Sequence, residues 1–121
     1  MCKTSPLAPK NGFPVIKSIS GVQFSDEAAG IKYSDRSDVM LAYICHGSSI
    51  AGIFTKSATR SAAVLDCQNK LNSTKKSEGP FAIVVNSGNA NAFTGKLGDE
   101  TVFKISSYLS EKLGCDLNQI Y

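Results

Sequence analysis

Hydrophobic residues recur along part of the chain with the spacing of amphipathic helices. Between Asp99 and Leu113 the apolar positions are three or four residues apart, which predicts a helix with one buried stripe. Asp99 is the expected N-cap, and Gly114 follows where a helix-ending glycine belongs. A shorter helix is predicted over residues 61–71, where alanines and leucines are mixed with polar helix formers.

Other apolar runs are short and indicate β-strands. They lie at residues 19–25, 39–45, 49–55 and 81–85. Only three residues separate 39–45 from 49–55, a length typical of a hairpin, so we expect these two to pair antiparallel. FAIVV at 81–85 is continuous and rich in β-branched residues, as in a central strand covered on both faces. Ile120 and Tyr121 are expected to begin a further strand.

Composition indicates an ordinary globular protein. The 121 residues are 42% hydrophobic and 19% charged, which fits a single domain. No apolar run approaches the length of about 18 residues that a membrane span requires. The N-terminal residues show no secretory leader, so a cytoplasmic location is expected. The net charge is only +3, and the basic cluster at Lys75 and Lys76 is small, so nucleic-acid binding is not expected.

Most polar residues suggest no catalytic centre. The four cysteines are far apart and His46 is the single histidine, so we expect free thiols, an exposed turn histidine and no metal site. Asp35, Arg36 and Asp38 form a mixed-charge run that is expected to face solvent. No cofactor is expected.

One polar stretch differs from the rest. Residues 86–95, NSGNANAFTG, place three asparagines and two glycines after a buried strand and before a helix; we term this the asparagine–glycine loop. Such a loop can expose backbone N–H groups to a phosphate or an oxyanion. It can equally be a turn whose residues adopt left-handed conformations. A P-loop is excluded because Leu97 stands where serine or threonine is required.

The asparagine–glycine loop closely resembles the NSGNANA-x-TG signature of the glutamate N-acetyltransferase family, also called ornithine acetyltransferases. Three further blocks resemble the family in the same order: SPLAPKNGF, AAGIKYSDRSDVMLAYI and AGIFTKSATRSAAV. The resemblance spans nearly the whole chain. It implies an α/β fold of layered sheets covered by helices, reminiscent of N-terminal-nucleophile hydrolases.

The resemblance also implies an activity in arginine biosynthesis. Members move an acetyl group from N-acetylornithine to glutamate through an acetyl-threonine intermediate. They cut themselves into α and β chains that form a heterotetramer, and the threonine that begins the β chain is the nucleophile. The family's oxyanion hole matches Thr94 and Gly95 here. Use of acetyl-CoA as a second acetyl donor is left open.

The resemblance has two departures and one gap. Phe93 stands where many members have cysteine, and RSAAV lacks the family's usual proline; neither touches the proposed oxyanion donors. Nothing in residues 1–121 matches the self-cleavage segment, the catalytic threonine or the substrate-binding residues. Residues 1–121 are therefore expected to be the first part of an α chain, to need the remaining α segment and the β chain as partners, and to be inactive alone.

Two other functions stay open at this point. An aminopeptidase or amidase of the same self-cleaving fold would replace the acceptor amine by water. A stand-alone binding domain would use the asparagine–glycine loop to hold an anion.

Overall fold

The computed structural model describes residues 5–32, 34–73 and 79–121. In these residues a three-stranded antiparallel sheet is accompanied by two α-helices and a short 3-10 helix. The strands are β1 (Val22–Glu27), β2 (Val39–Ile44) and β3 (Phe81–Asn86). The helices are α1 (Ala62–Asn72) and α2 (Gly95–Leu113), and the 3-10 helix is Leu117–Gln119. The expectation of a mixed α/β protein is confirmed.

The central strand of the sheet is β2, which pairs on both sides. Ile44 lies opposite Val22 of β1 and opposite Phe81 of β3. Because both edges of β2 are occupied, the predicted hairpin partner 49–55 has no edge to join. That prediction is wrong: the segment forms no strand, and the Ile53 side chain is fully exposed.

The last two residues extend the sheet beyond β3. The Tyr121 N–H donates to the Ala82 carbonyl, and the Val84 N–H donates to the Tyr121 carbonyl, both at 2.7 Å. Ile120 thereby forms a parallel bridge to Ala82, and the predicted strand start is confirmed. The first half of β3 is buried, but Val85 is 48% exposed, so the prediction that both faces are covered is wrong for the second half.

A small core lies between the sheet and the end of α2. Ala82, Cys115 and Ile120 are buried there, and further apolar side chains from the sheet and from α2 pack around them. Leu41 and Tyr43 of β2 face this side, whereas Met40 lies on the opposite face of the pleat. One sheet face therefore packs against the end of α2, whereas Met40 and Val85 on the opposite face are partly exposed.

Sequence-coded caps define two of the four α-helix ends. Ser61 is the N-cap of α1, and its side chain accepts from the Val64 N–H at 3.4 Å. Gly114 ends α2 with φ of 66°, the left-handed conformation predicted for it. The N-terminus of α2 differs from expectation, because the helix begins at Gly95 and Thr94 is its N-cap. Asp99 therefore lies inside the helix.

Lys70 joins three parts of the fold through its ammonium group. Its Nζ donates to Asp66 of α1 at 2.6 Å, to Ser106 of α2 at 3.2 Å and to the carbonyl of Ile120 at 2.7 Å. The Lys70 side chain is only 7% exposed. Lys75 and Lys76, the small basic cluster of the sequence, lie outside the described residues.

Within residues 5–32, 34–73 and 79–121, no helix combines the length and apolar character of a membrane span.

Candidate functional site

The asparagine–glycine loop connects β3 to α2 and is held by its own amide side chains. The Asn86 Nδ2 donates to the Asn89 carbonyl at 2.7 Å, and the Asn91 N–H donates to Asn89 Oδ1 at 3.1 Å. Asn91 adopts φ of 49°, a left-handed conformation that asparagine tolerates better than most residues. Phe93 also adopts a positive φ, 59°, with its ring 87% exposed. The loop therefore combines specific hydrogen bonds with a strained backbone.

Thr94 and Gly95 stand together where the loop becomes α2. The Thr94 Oγ1 donates to the Asn91 carbonyl at 3.0 Å. Gly95 has φ of 53°, and the position of a Cβ there would have no atom within 4 Å. No side chain caps α2, so the first N–H groups of a 19-residue helix are left without intrahelical acceptors. The N-terminal end of the helix dipole adds partial positive charge at the same point.

Close packing between the two helices places this helix start. Gly98 is buried, and a Cβ on it would lie 3.1 Å from the Thr94 Cβ and 3.3 Å from the Ala62 Cβ. The Asn91 carbonyl, which accepts from Thr94, also accepts from the Ala62 N–H at 3.3 Å. One carbonyl and one glycine thus fix Thr94 relative to the N-terminus of α1.

A cavity of about 260 Å³ opens beside Thr94 and Gly95. Its lining comes from the segment before α1, from α1, from the loop and from α2: Ala58, Thr59, Arg60, Ala62, Leu65, Asn91, Phe93, Thr94, Gly95 and Asp99. Arg60 Nη1 donates to Gln68 Oε1 at 2.7 Å. Arg60 Nε is buried and has no hydrogen-bond partner in the described part of the chain. The cavity is wide enough for a small acyl group and borders the free N–H groups of α2.

Asp38 was expected to face solvent, and that expectation is wrong. The residue is 3% exposed, and its two carboxylate oxygens accept from the Ala29 N–H at 2.7 Å and the Ile31 N–H at 2.6 Å. Burial alone would raise the pKa of the Asp38 carboxyl. The backbone N–H groups of Ile31, Ala29 and Lys32 outweigh it and lower the pKa below the ordinary value. Asp35 and Arg36 remain exposed, as expected.

His46 and the described cysteines are placed as the sequence predicts. His46 lies in an exposed turn. Cys45, Cys67 and Cys115 are free thiols, while Cys2 lies outside the described residues. Across the described ranges, no three histidine, cysteine or acidic side chains come together as a metal site.

Comparison with solved structures identifies the class of protein that this sheet, helix pair and loop define. Bacillus halodurans arginine biosynthesis bifunctional protein argJ superimposes with a TM-score of 0.72 at 24% identity, covering 84% of this chain and 51% of that chain. Mycobacterium tuberculosis ornithine acetyltransferase, solved in complex with ornithine, gives a TM-score of 0.67 at 30% identity over 84% of this chain and 53% of that chain. The chain has the α/β fold of the ornithine acetyltransferases, as the resemblance implied.

Sequence comparison gives the family. The ArgJ family model matches residues 23–121. The arginine biosynthesis bifunctional protein ArgJ of Ruegeria pomeroyi is 48% identical over 119 residues, covering 98% of this chain and 28% of the relative. The Nitrobacter winogradskyi ArgJ is 42% identical over 117 residues, covering 97% of this chain and 28% of that relative. The chain belongs to the ArgJ family, and it spans little more than a quarter of the length of these relatives.

Proposed function

We propose that this chain is the first part of the α chain of an acetyltransferase of arginine biosynthesis. The enzyme transfers acetyl from N-acetylornithine to glutamate, and Thr94 and Gly95 supply its oxyanion hole. Family membership supports the activity, and the described geometry supports the site. The observation that carries the proposal is the uncapped start of α2 at Gly95, beside an open cavity.

The chemistry requires a place for developing negative charge. In the first half-reaction a threonine oxygen, outside residues 1–121, attacks the acetyl carbonyl of N-acetylornithine. The C–N bond then breaks, and ornithine leaves with a proton on its amine. In the second half-reaction the glutamate amine attacks the acetyl-threonine ester, and the threonine oxygen leaves and regains its proton. Both steps pass through a tetrahedral oxyanion, which pre-aligned donors stabilise.

Gly95 and Thr94 differ in whether their hydrogen-bond donors are already free to point at the oxyanion. The backbone N–H of Gly95 lies in the first turn of α2 and needs no rearrangement. The Thr94 hydroxyl has a single hydrogen, which Asn91 now accepts at 3.0 Å. That hydrogen has to turn from the Asn91 carbonyl to the oxyanion. The Asn91 bond therefore holds the Thr94 hydroxyl in place until negative charge develops.

The partners and location follow from the same proposal. The remaining α segment and the β chain complete the active site, in a heterotetramer of two α and two β chains in the cytoplasm. No metal or cofactor takes part. The Ruegeria and Nitrobacter relatives are named bifunctional, which supports testing acetyl-CoA as a second acetyl donor.

The test is Thr94→Ala in the assembled enzyme that contains this chain. Loss of one oxyanion donor is expected to lower kcat for acetyl transfer from N-acetylornithine to glutamate by about 10²- to 10³-fold. Thr101→Ala is a matched control, because its hydroxyl also donates to a carbonyl, that of Leu97 at 2.7 Å, but within α2. It should leave kcat unchanged. A Thr94→Ala enzyme with unaltered kcat would remove Thr94 from the oxyanion hole.

A further inference from the structure

Asp38 connects two loops through its side chain. The carboxylate holds the segment of residues 29–32, since each oxygen accepts one N–H: Oδ1 from Ala29 at 2.7 Å and Oδ2 from Ile31 at 2.6 Å. A carboxylate is suited to this because both of its oxygens are acceptors only. The side chain therefore fixes the course of the 29–32 segment across a sequence separation of seven to nine residues.

The 29–32 segment lies against the start of the asparagine–glycine loop. Gly88 has φ of 103°, and a Cβ on it would lie 2.6 Å from the Lys32 Cβ. Only glycine allows this approach. The Lys32 side chain thus abuts the backbone of Gly88, and the position of one segment constrains the other.

The main chain of Asp38 contacts the same loop directly. Its carbonyl accepts from the Ser87 N–H at 2.8 Å, and its own N–H donates to the Glu27 carbonyl at 3.0 Å. Asp38 therefore holds the second residue of the loop through its backbone and the third, Gly88, through the 29–32 segment. Further along the loop, the Asn91 N–H donates to Asn89 Oδ1 and the Thr94 hydroxyl donates to the Asn91 carbonyl. These bonds connect the held start of the loop to Thr94.

We infer that Asp38 is a positioning residue for acetyl transfer: its buried carboxylate fixes the 29–32 segment against Gly88 and so sets the place of Thr94 and Gly95. This inference rests on the proposed function. Asp38 touches no reacting atom and acts only through the loop. Positioning errors near 1 Å can reduce catalysis by about 10²-fold, so a residue remote from the chemistry can have a large effect.

The test is Asp38→Asn in the assembled enzyme. Asparagine keeps one acceptor but turns an NH₂ group toward the other backbone N–H, so one of the two bonds is lost. We expect kcat to fall by about 10- to 100-fold, with little change in the KM for glutamate. Asp35→Asn, an exposed carboxylate of the same loop, is the matched control and should retain full kcat.

A double-mutant cycle with Thr94→Ala separates positioning from general destabilisation. If Asp38 acts through Thr94, Asp38→Asn adds much less to the kcat loss in the Thr94→Ala enzyme than in the natural enzyme. Full additivity, or a natural kcat for Asp38→Asn, would overturn the inference. A Thr94→Ala enzyme of natural activity would instead contradict the proposed function.

A second variant covers the case in which Asp38→Asn does not fold. Gly88→Ala disturbs the same contact from the other side and leaves the Asp38 carboxylate intact. We expect the kcat of the Gly88→Ala enzyme to fall. The loss of kcat caused by Gly88→Ala should again be smaller in the Thr94→Ala enzyme than in the natural enzyme. A Gly88→Ala enzyme with natural kcat would count against positioning through this contact.

Discussion

A single missing side chain at Gly98 makes room for the hydroxyl of the candidate site. Because a Cβ at this buried position would collide with the Thr94 side chain and press on Ala62, Gly98→Ala should displace Thr94 from the Asn91 carbonyl. We expect a kcat loss of at least about 10-fold and a net destabilisation of about 1–3 kcal/mol from overpacking. Steady-state kinetics and urea unfolding measure the two effects. Glu100→Ala, exposed on the same helix, is the control; a fully active, stabilised Gly98→Ala enzyme would contradict this packing.

The buried carboxylate of Asp38 also predicts a dependence of stability on pH. Its pKa in the fold is below the ordinary value of 3.8, so its contribution is fully present above the unfolded pKa. That contribution is lost as the pH falls through the lowered pKa of the folded state. Urea unfolding from about pH 6 to about pH 2 should show the stability difference between the natural protein and Asp38→Asn shrinking with acid. A difference that stays constant would mean that the carboxylate is not held as described.

The family resemblance points to Thr94 and Gly95 as candidate oxyanion donors but not to the residues that hold them. Asp38 sits in a charged run, and its partners Ala29 and Ile31 lie in a different loop, seven to nine residues away. A carboxylate that is buried against backbone N–H groups produces no pattern of hydrophobic positions in the sequence, so its burial cannot be predicted from such a pattern. The only signal in the sequence was its place in the block AAGIKYSDRSDVMLAYI, which the family resemblance included without a role for the aspartate.

At the level of elements, one ammonium group joins α1, α2 and the chain end. Replacing Lys70 by methionine removes three donated bonds from a buried site while keeping most of the aliphatic volume. We expect a loss of about 2–4 kcal/mol in the free energy of unfolding, measured by urea unfolding. Asp66→Asn should cost less, because Asp66 is 32% exposed and can be solvated. Equal stability of Lys70→Met and the natural protein would show that the three bonds contribute no more than the cost of burying the ammonium group.

The elements that the sequence predicts well are those with a local cause. The existence of α2, its glycine end and the serine cap of α1 depend on residues within a turn or two. The predicted buried stripe of α2 holds only in part, because Leu109 and Leu113 pack against the core whereas Ile105 is 44% exposed. The misplaced elements depend on distant partners: the 49–55 run is apolar enough for a strand, but β1 and β3 occupy both edges of β2. The predicted start of α2 is too late in the sequence because Gly95 and Gly98 are poor helix formers and suggest a loop. In the structure the helix includes both glycines, and Gly98 packs closely on Ala62.

On the scale of the whole molecule, too much surface is exposed for a compact monomer. The chain exposes 9473 Å², whereas a protein of its mass, 12.8 kDa, would expose about 6,300 Å². Phe24, Met40 and Val85 form an apolar patch on the sheet face opposite the core. Phe103 and Tyr108, each 60% exposed, add apolar area on α2. Surface of this kind is typical of an interface.

Residues 1–121 expressed alone should therefore bind a hydrophobic dye strongly, self-associate and show no acetyl transfer. If the proposed remaining α segment and β chain cover this surface, co-expression with them should suppress the dye binding. Dye fluorescence and light scattering make the comparison. Acetyl transfer by purified residues 1–121 would overturn the expectation that they are inactive alone, and a monodisperse monomer would favour the stand-alone binding domain.

Because the Asn91 carbonyl accepts two hydrogen bonds, a change in one of them should be detectable in the other. The carbonyl accepts from both the Thr94 hydroxyl and the Ala62 N–H, and two donors on one oxygen compete for its electron density. When the hydroxyl turns toward an oxyanion, the carbonyl is left to Ala62, and that bond, now 3.3 Å, should shorten. The amide proton resonance of Ala62 should then move downfield when a mimic of the tetrahedral intermediate binds. The first amide of α1 would thus report on the oxyanion site without contacting the ligand.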